Sequence, residues 1–207
     1  MKRLIRDVAK RLPEFEHVRP SRILVVAGEA RRASRATIRP AHFKETRDRT
    51  RTGGQKKPLI RIRGRKILYV ITLRPLWFVG STPEQRLTTV LHELYHVSAK
   101  FDGTLHRGRR HSVLPRPAYD RQMRKIRDRY LAEVPDALEP FAREGLVTAR
   151  MWLERPSHWY DDDEYGGRRV YSEDQLFYGV MPMRVRARAA SRSAAVPRRA
   201  NKARSLH

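Results

Sequence analysis

The stretch LHELYHVSAKFDGTLHRGRRH, residues 91–111, puts four histidines, a glutamate and an aspartate into one short segment. His92, Glu93 and His96 spell H-E-x-x-H. On a helix, side chains four residues apart point the same way, one turn apart. Two imidazoles at that spacing can grip one metal ion without distorting the backbone. Glu93 is rotated by about 100° around the axis, so it reaches water on the ion rather than the ion itself. A Lewis acid beside a general base is the chemistry of a zinc hydrolase. Such a zinc takes a third protein ligand and leaves its fourth position to water. Asp102, His106 and His111 are the downstream candidates. Asp102 follows His96 by six residues, but the turn it would need has Ala99 where a glycine would help. His106 and His111 follow a loop containing Gly103 that can fold back. His111 also stands shortly before a helix expected near Tyr119, which would hold it rigidly.

The elements that must position these groups are legible in part. STPEQRLTTVLHELYHVSA (81–99) reads as the best helix of the chain. Ser81 or Thr82 can cap it, Pro83 suits its first turn, and Glu84 suits the positive end of its dipole. Leu87, Val90, Leu91, Leu94 and Val97 form its apolar stripe. Residues 118–134 read as a second helix, with Met123, Ile126, Tyr130 and Leu131 on one side, and residues 2–12 as an N-terminal helix stopped by Pro13. Apolar runs at 21–28 and 67–73 predict buried strands, and LIRIR (59–63) a half-exposed one. Gly64 between the last two predicts an antiparallel hairpin. Further strands are expected around 36–43 and over 145–153. The fold class is therefore α+β: one small domain over 1–183, its core about 1–155, with a short, mostly antiparallel sheet. A basic loop at about 44–57 is expected to be mobile, and the acid-free basic tail 184–207 disordered.

The chain has 207 residues, no cysteine, and a net charge of +24 from 46 Lys and Arg against 22 Asp and Glu. The missing cysteines exclude disulfides, thiolate metal sites and a cysteine nucleophile. The charge attracts polyanions, and non-specific nucleic acid bound through the basic loop and tail is the expected partner of that kind. No segment approaches the 18 apolar residues of a membrane span, and no secretory signal is visible, so a cytoplasmic protein is expected. Oligomeric state has no sequence signature here.

Other side chains have two uses each. Tyr119 and Tyr130 suit packing or donation to an oxyanion. Asp120 suits helix capping or orientation of a ligand histidine. Trp152, Trp159, Tyr160 and Tyr165 suit the core edge or base stacking. DDDE (161–164) reads as an exposed acidic turn.

LHELYHVSAKFDG followed by HSVLPRPAYDRQM resembles the phage-type metallopeptidase family, small zincin-like domains more loosely similar to SprT and Spartan proteases. The resemblance spans about residues 1–155 and is strong only over 87–126. It implies a helix and a few strands ahead of the motif, His92, His96 and His111 as zinc ligands, Glu93 as catalytic acid/base, and a polypeptide substrate. The chain departs from the pattern where HRGRRH offers two histidines in place of one. The expected function is a zinc-dependent metallopeptidase, a glutamate-assisted attack of zinc-held water on a peptide bond, acting near nucleic acid. The contrasting reading is a nucleic-acid-binding protein with a structural zinc, for which Glu93 would have no use.

Overall fold

The computed structural model describes residues 1–29, 34–41, 55–56, 58–109, 111, 113, 115–156, 160–161 and 169–184. Most of the basic loop, all of the tail beyond Arg184, Trp159, Tyr165 and most of the acidic turn lie outside the described residues.

The chain opens with helix α1 (Lys2–Arg11), whose Ile5 and Val8 are fully buried. Strands β1 (Ile23–Ala27) and β2 (Ala36–Pro40) follow, then the short β3 (Gln55–Lys56), β4 (Leu59–Ile62) and β5 (Arg65–Lys66), and then β6 (Tyr69–Leu73). β6 is the middle strand of the main sheet, parallel to β1 and antiparallel to β2. Every one of its residues is buried, because the sheet is covered on both faces. Alternation sorts the side chains. Ile23, Tyr69, Ile71 and Ile38 face the main core, while Leu24, Val26 and Val70 join a second core with Ile60, Ile62, Ile67 and Tyr171.

The expected hairpin exists, but its partners differ from the expectation. Arg63 and Gly64, with φ of 51° and 70°, make the tight turn that joins β4 to β5. The apolar run of β6 does not return along β4. It leaves the hairpin and enters the main sheet, because a strand buried on both faces needs neighbours that β4 cannot supply.

Helix α2 (Pro75–Val79) leads into α3 (Pro83–Tyr95), which carries the H-E-x-x-H motif. α4 (Arg116–Glu133) packs on α3 through Tyr119, Met123, Ile126 and Tyr130, all buried. Tyr130 donates a 2.7 Å hydrogen bond to Asp7, tying α4 to α1. The short helix α5 (Glu139–Ala142) brings Phe141 against Phe78.

An antiparallel ribbon completes the molecule: β7 (Gly145–Trp152), the short β8 (Tyr160–Asp161) paired with β3, β9 (Val170–Tyr171) parallel to β4, and β10 (Leu176–Met183) paired along the full length of β7. Met183 is buried in the main core. The architecture is a small α+β domain. Its pairings are mostly antiparallel, with two parallel ones among the described strands. No helix among the described residues is long and apolar enough to cross a membrane.

Candidate metal centre

Helix α3 starts on the capping box that its sequence suggests. Thr82 accepts a hydrogen bond from the Gln85 amide, and Gln85 accepts one from the Thr82 amide. The helix ends four residues earlier than its sequence pattern, at Tyr95. His96 is the C-cap and keeps right-handed helical geometry, with φ −76° and ψ −11°. The four-residue relation between His92 and His96 therefore survives the end of the helix.

Beyond His96 the chain turns back on itself. Val97 bridges Leu105, and the His106 amide donates to the His96 carbonyl at 2.8 Å. Phe101 and Gly103 take positive φ of 50° and 82° to make the reversal. Tyr69 of β6 pins it. Its hydroxyl donates to the Thr104 carbonyl at 2.8 Å and accepts from the Gly103 amide at 3.1 Å. Burial pushes the Tyr69 phenol up to about 12, so it remains a donor at any physiological pH.

The reversal delivers His111 to the pair on α3. His92 Nε2 lies 3.2 Å from His111 Nε2 and 3.3 Å from His96 Nε2. One nitrogen from each ring falls within 4.8 Å of the others, a group that can hold a metal ion. His96 is buried, His92 half-buried and His111 exposed, so the group opens to solvent on one side.

The imidazoles are kept in the state a metal needs. Burial, and then the neighbouring His96 and His111, lower His92 to about 3. Burial, and then His111, lower His96 to about 4. Both rings are neutral near pH 7 and offer lone pairs. The His96 ring also hydrogen-bonds the Arg109 backbone, the kind of outer contact that aims a ligand's other nitrogen.

Glu93 is 6% exposed and turned into the domain beside β2. Burial raises its carboxyl to about 8, opposed by a hydrogen bond with the Ile38 backbone. Tyr119 of α4 closes the site from the other side. Its ring lies 4.7 Å, 5.7 Å and 5.0 Å from those of His92, His96 and His111, and its hydroxyl is 3.4 Å from His96 Nε2. Burial, and then the charge of Glu93, push its phenol well above the usual range.

The other candidates are placed elsewhere. Asp102 is engaged within the reversal, accepting from the Thr104 amide at 3.1 Å and its hydroxyl at 2.6 Å. His106 contributes its backbone to the turn, and its Nδ1 is buried without a hydrogen-bond partner. Asp120 is exposed and makes no contact with a ligand histidine among the described residues. The orienting contact comes instead from the Arg109 backbone, which no residue type announces. Tyr130 binds Asp7, away from the histidines. Trp152 packs edge-on against Tyr171 in the second core.

One supporting residue escapes sequence reasoning. Arg86 of α3 is completely buried and has no acid partner among the described residues. Its guanidinium donates to the carbonyls of Phe78 at 2.9 Å and Val79 at 2.6 Å, and to those of Phe141 and Arg184. It ties α2, α5 and the end of β10 to the helix that carries the ligands. An arginine in a strongly basic chain gives no hint of such burial. Its place on the apolar side of α3, one residue before Leu87, is the available signal.

No family model matches the chain, and no curated protein or solved structure similar to it was found.

Proposed function

We propose that the protein is a zinc-dependent metallopeptidase. The observation that carries this reading is the convergence of three imidazoles beside a buried glutamate and a tyrosine hydroxyl. Two nitrogens that each lie about 2.05 Å from a tetrahedral zinc stand about 3.3 Å apart. The 3.2 and 3.3 Å separations around His92 match that edge. Hard oxygen-seeking cations fit an all-imidazole set poorly. His92, His96 and His111 would hold the ion, and the exposure of His111 leaves one side for a reactant. Bound there, zinc supplies Lewis acidity, polarising a carbonyl and lowering the pKa of a water towards about 7.

The chain's own residues do the rest. Glu93 takes the proton of the attacking water as its oxygen bonds to the peptide carbonyl carbon. The same carboxyl then hands that proton to the leaving nitrogen as the carbon–nitrogen bond breaks. Its rise to about 8 in the metal-free site keeps proton uptake and release within reach of neutral pH. The Tyr119 hydroxyl, 3.4 Å from His96 Nε2, is placed to donate to the carbonyl oxygen as charge gathers on it. A purely structural zinc would have no use for Glu93 or for an open side.

The test uses denatured casein as substrate. The parent should bind one zinc per chain and hydrolyse casein. Glu93→Gln should keep the zinc and lose hydrolysis by about three orders of magnitude or more. A parent that binds zinc and cleaves no unfolded polypeptide would point to the structural reading.

A further inference from the structure

A second cluster of charge lies on the β4–β5 turn and the β7–β10 ribbon. Ile62, Arg63, Arg150, Glu173, Leu176 and Tyr178 line a cleft of about 210 Å³ there, several times the roughly 30 Å³ share of one water. Arg63 and Arg65 are exposed on the turn, and neither has an ion-pair partner among the described residues. Lys2, the first residue of α1, lies close enough to feel them. Its ammonium is lowered by burial, then by Arg150, Arg63 and Arg65. Two acids are nearby and both are engaged. Glu173 accepts from the Arg63 amide at 3.0 and 3.2 Å, and Asp174 accepts from the Ser172 hydroxyl at 2.7 Å. Four cations therefore gather near two carboxylates, which leaves this corner net positive and attractive to an anion from outside.

The ribbon beside them carries the other half of a recognition surface. Arg150 pairs with Tyr178 across the strands, Thr148 with Val180 and Leu146 with Pro182. Alternation puts these six side chains on one face. Tyr178 is 65% exposed, Val180 59% and Leu146 77%, so that face is uncovered. The opposite face turns Val147 and Met183 to the core. Arg150 lies over the Tyr178 ring, 5.4 Å from its centroid, and donates to its hydroxyl at 2.9 Å. A guanidinium has five N–H donors, so others stay available for phosphate. An aromatic plane held in place beside a phosphate-binding cluster is the arrangement that binds single-stranded nucleic acid, where every base has a face to stack.

We infer that this cleft and the outer face of the ribbon bind single-stranded nucleic acid, with backbone phosphate held by Lys2, Arg63, Arg65 and Arg150 and a base stacked on Tyr178. Paired bases cannot reach such a surface, so single strands are the committed ligand. The inference is independent of the peptidase reading.

The test measures fluorescence anisotropy of the full-length protein with labelled oligothymidylate, a duplex of the same length and labelled inorganic polyphosphate. Cations elsewhere in this strongly basic chain will bind all three to some degree, so the variants decide. Tyr178→Ala should weaken oligothymidylate binding about tenfold and leave polyphosphate unchanged, while Tyr178→Phe should behave as the parent. Arg63→Ala with Arg65→Ala should weaken both ligands and lower the salt slope for oligothymidylate by about 1.4. The inference is overturned if Tyr178→Ala binds oligothymidylate as the parent does, or if its loss is equal on polyphosphate. Tighter binding of duplex than of single strand would overturn it as well. Circular dichroism of each variant should match the parent, since all three positions are at the surface.

Discussion

The metal centre and the basic cleft both gather groups of one kind, and they handle the resulting repulsion in opposite ways. Imidazoles can shed their protons. Packed against Tyr119 and one another, His92 and His96 are neutral at pH 7, and the cluster becomes a set of lone pairs facing one point. Arginine cannot shed its charge. Arg63 and Arg65 lack the carbonyl cage that buries Arg86 and lie at the surface in water, so the cluster remains a set of cations. The first arrangement invites a cation and the second an anion. Whether a group can give up its charge on burial decides how closely like groups can approach.

The largest effect should come from dismantling the histidine cluster. Substituting His92, His96 or His111 by Ala should lower zinc affinity by about 100-fold or more, because two imidazoles cannot satisfy the coordination of the ion. His106→Ala should leave affinity within about threefold. Isothermal titration with zinc of the metal-free variants separates them, and a His106→Ala protein that loses zinc while His111→Ala keeps it would reverse the ligand assignment.

Tyr119 sharpens the contrast between a ring that packs and one that reacts. Tyr119→Phe keeps the ring against all three histidines and removes only the hydroxyl. Zinc content should be unchanged, while kcat on casein should fall about 10- to 100-fold, the lower range for a lost hydrogen-bond donor to developing charge. An unchanged kcat would leave Tyr119 as the wall of the site.

The smallest expected effect is on stability. Glu93 is raised to about 8 in the metal-free fold from an ordinary value near 4.5. The folded state then holds a proton that the unfolded chain releases, so this contribution to stability falls as pH rises from about 5 through 8. The buried histidines act in the opposite sense. Held at about 3 and 4, they resist protons that the unfolded chain takes up near 6.5, so their contribution falls as pH drops below that value. Glu93→Gln isolates the first effect. Metal-free Glu93→Gln should gain on the parent by about 1–3 kcal/mol between pH 5 and pH 8.5, read from urea unfolding at the two values. An equal difference at both would show that burial does not perturb this carboxyl.

How much of this was legible follows from what each residue depends on. The motif helix and its cap were, because helical spacing and a capping box are local. The choice of His111 leaned on its place before α4. The reversal at Phe101 and Gly103 that carries it inward depends on Tyr69, more than 30 residues upstream. β6 was legible as a buried strand but its partners were not, since pairing is decided by what covers each face. β10 was hidden by Gly179 and Pro182, which argue against a strand. A Cβ at Gly179 would stand 2.7 Å from the Met151 sulfur, so that flexible side chain would have to move. The acid-free burial of Arg86 had no sequence signature beyond its phase on α3.

One feature of α3 reaches past ligand geometry. The helix stops at Tyr95, where its last carbonyls collect partial negative charge and are met by the His96 and Val97 amides and by the Arg109 guanidinium. The Arg109 guanidinium, donating to the Tyr95 carbonyl at 3.3 Å and lying 4.0 Å from the Tyr95 ring centroid, rests against that negative pole and serves as a terminal cap, a contribution of about 0.3–1 kcal/mol. The two ends of the helix are then secured by unlike means, reciprocal hydrogen bonds of Thr82 and Gln85 at the start and a cation at the finish. Arg109→Ala should fray the histidine end and speed amide exchange at Val97 and Ser98, leaving Gln85 and Arg86 as slow as before.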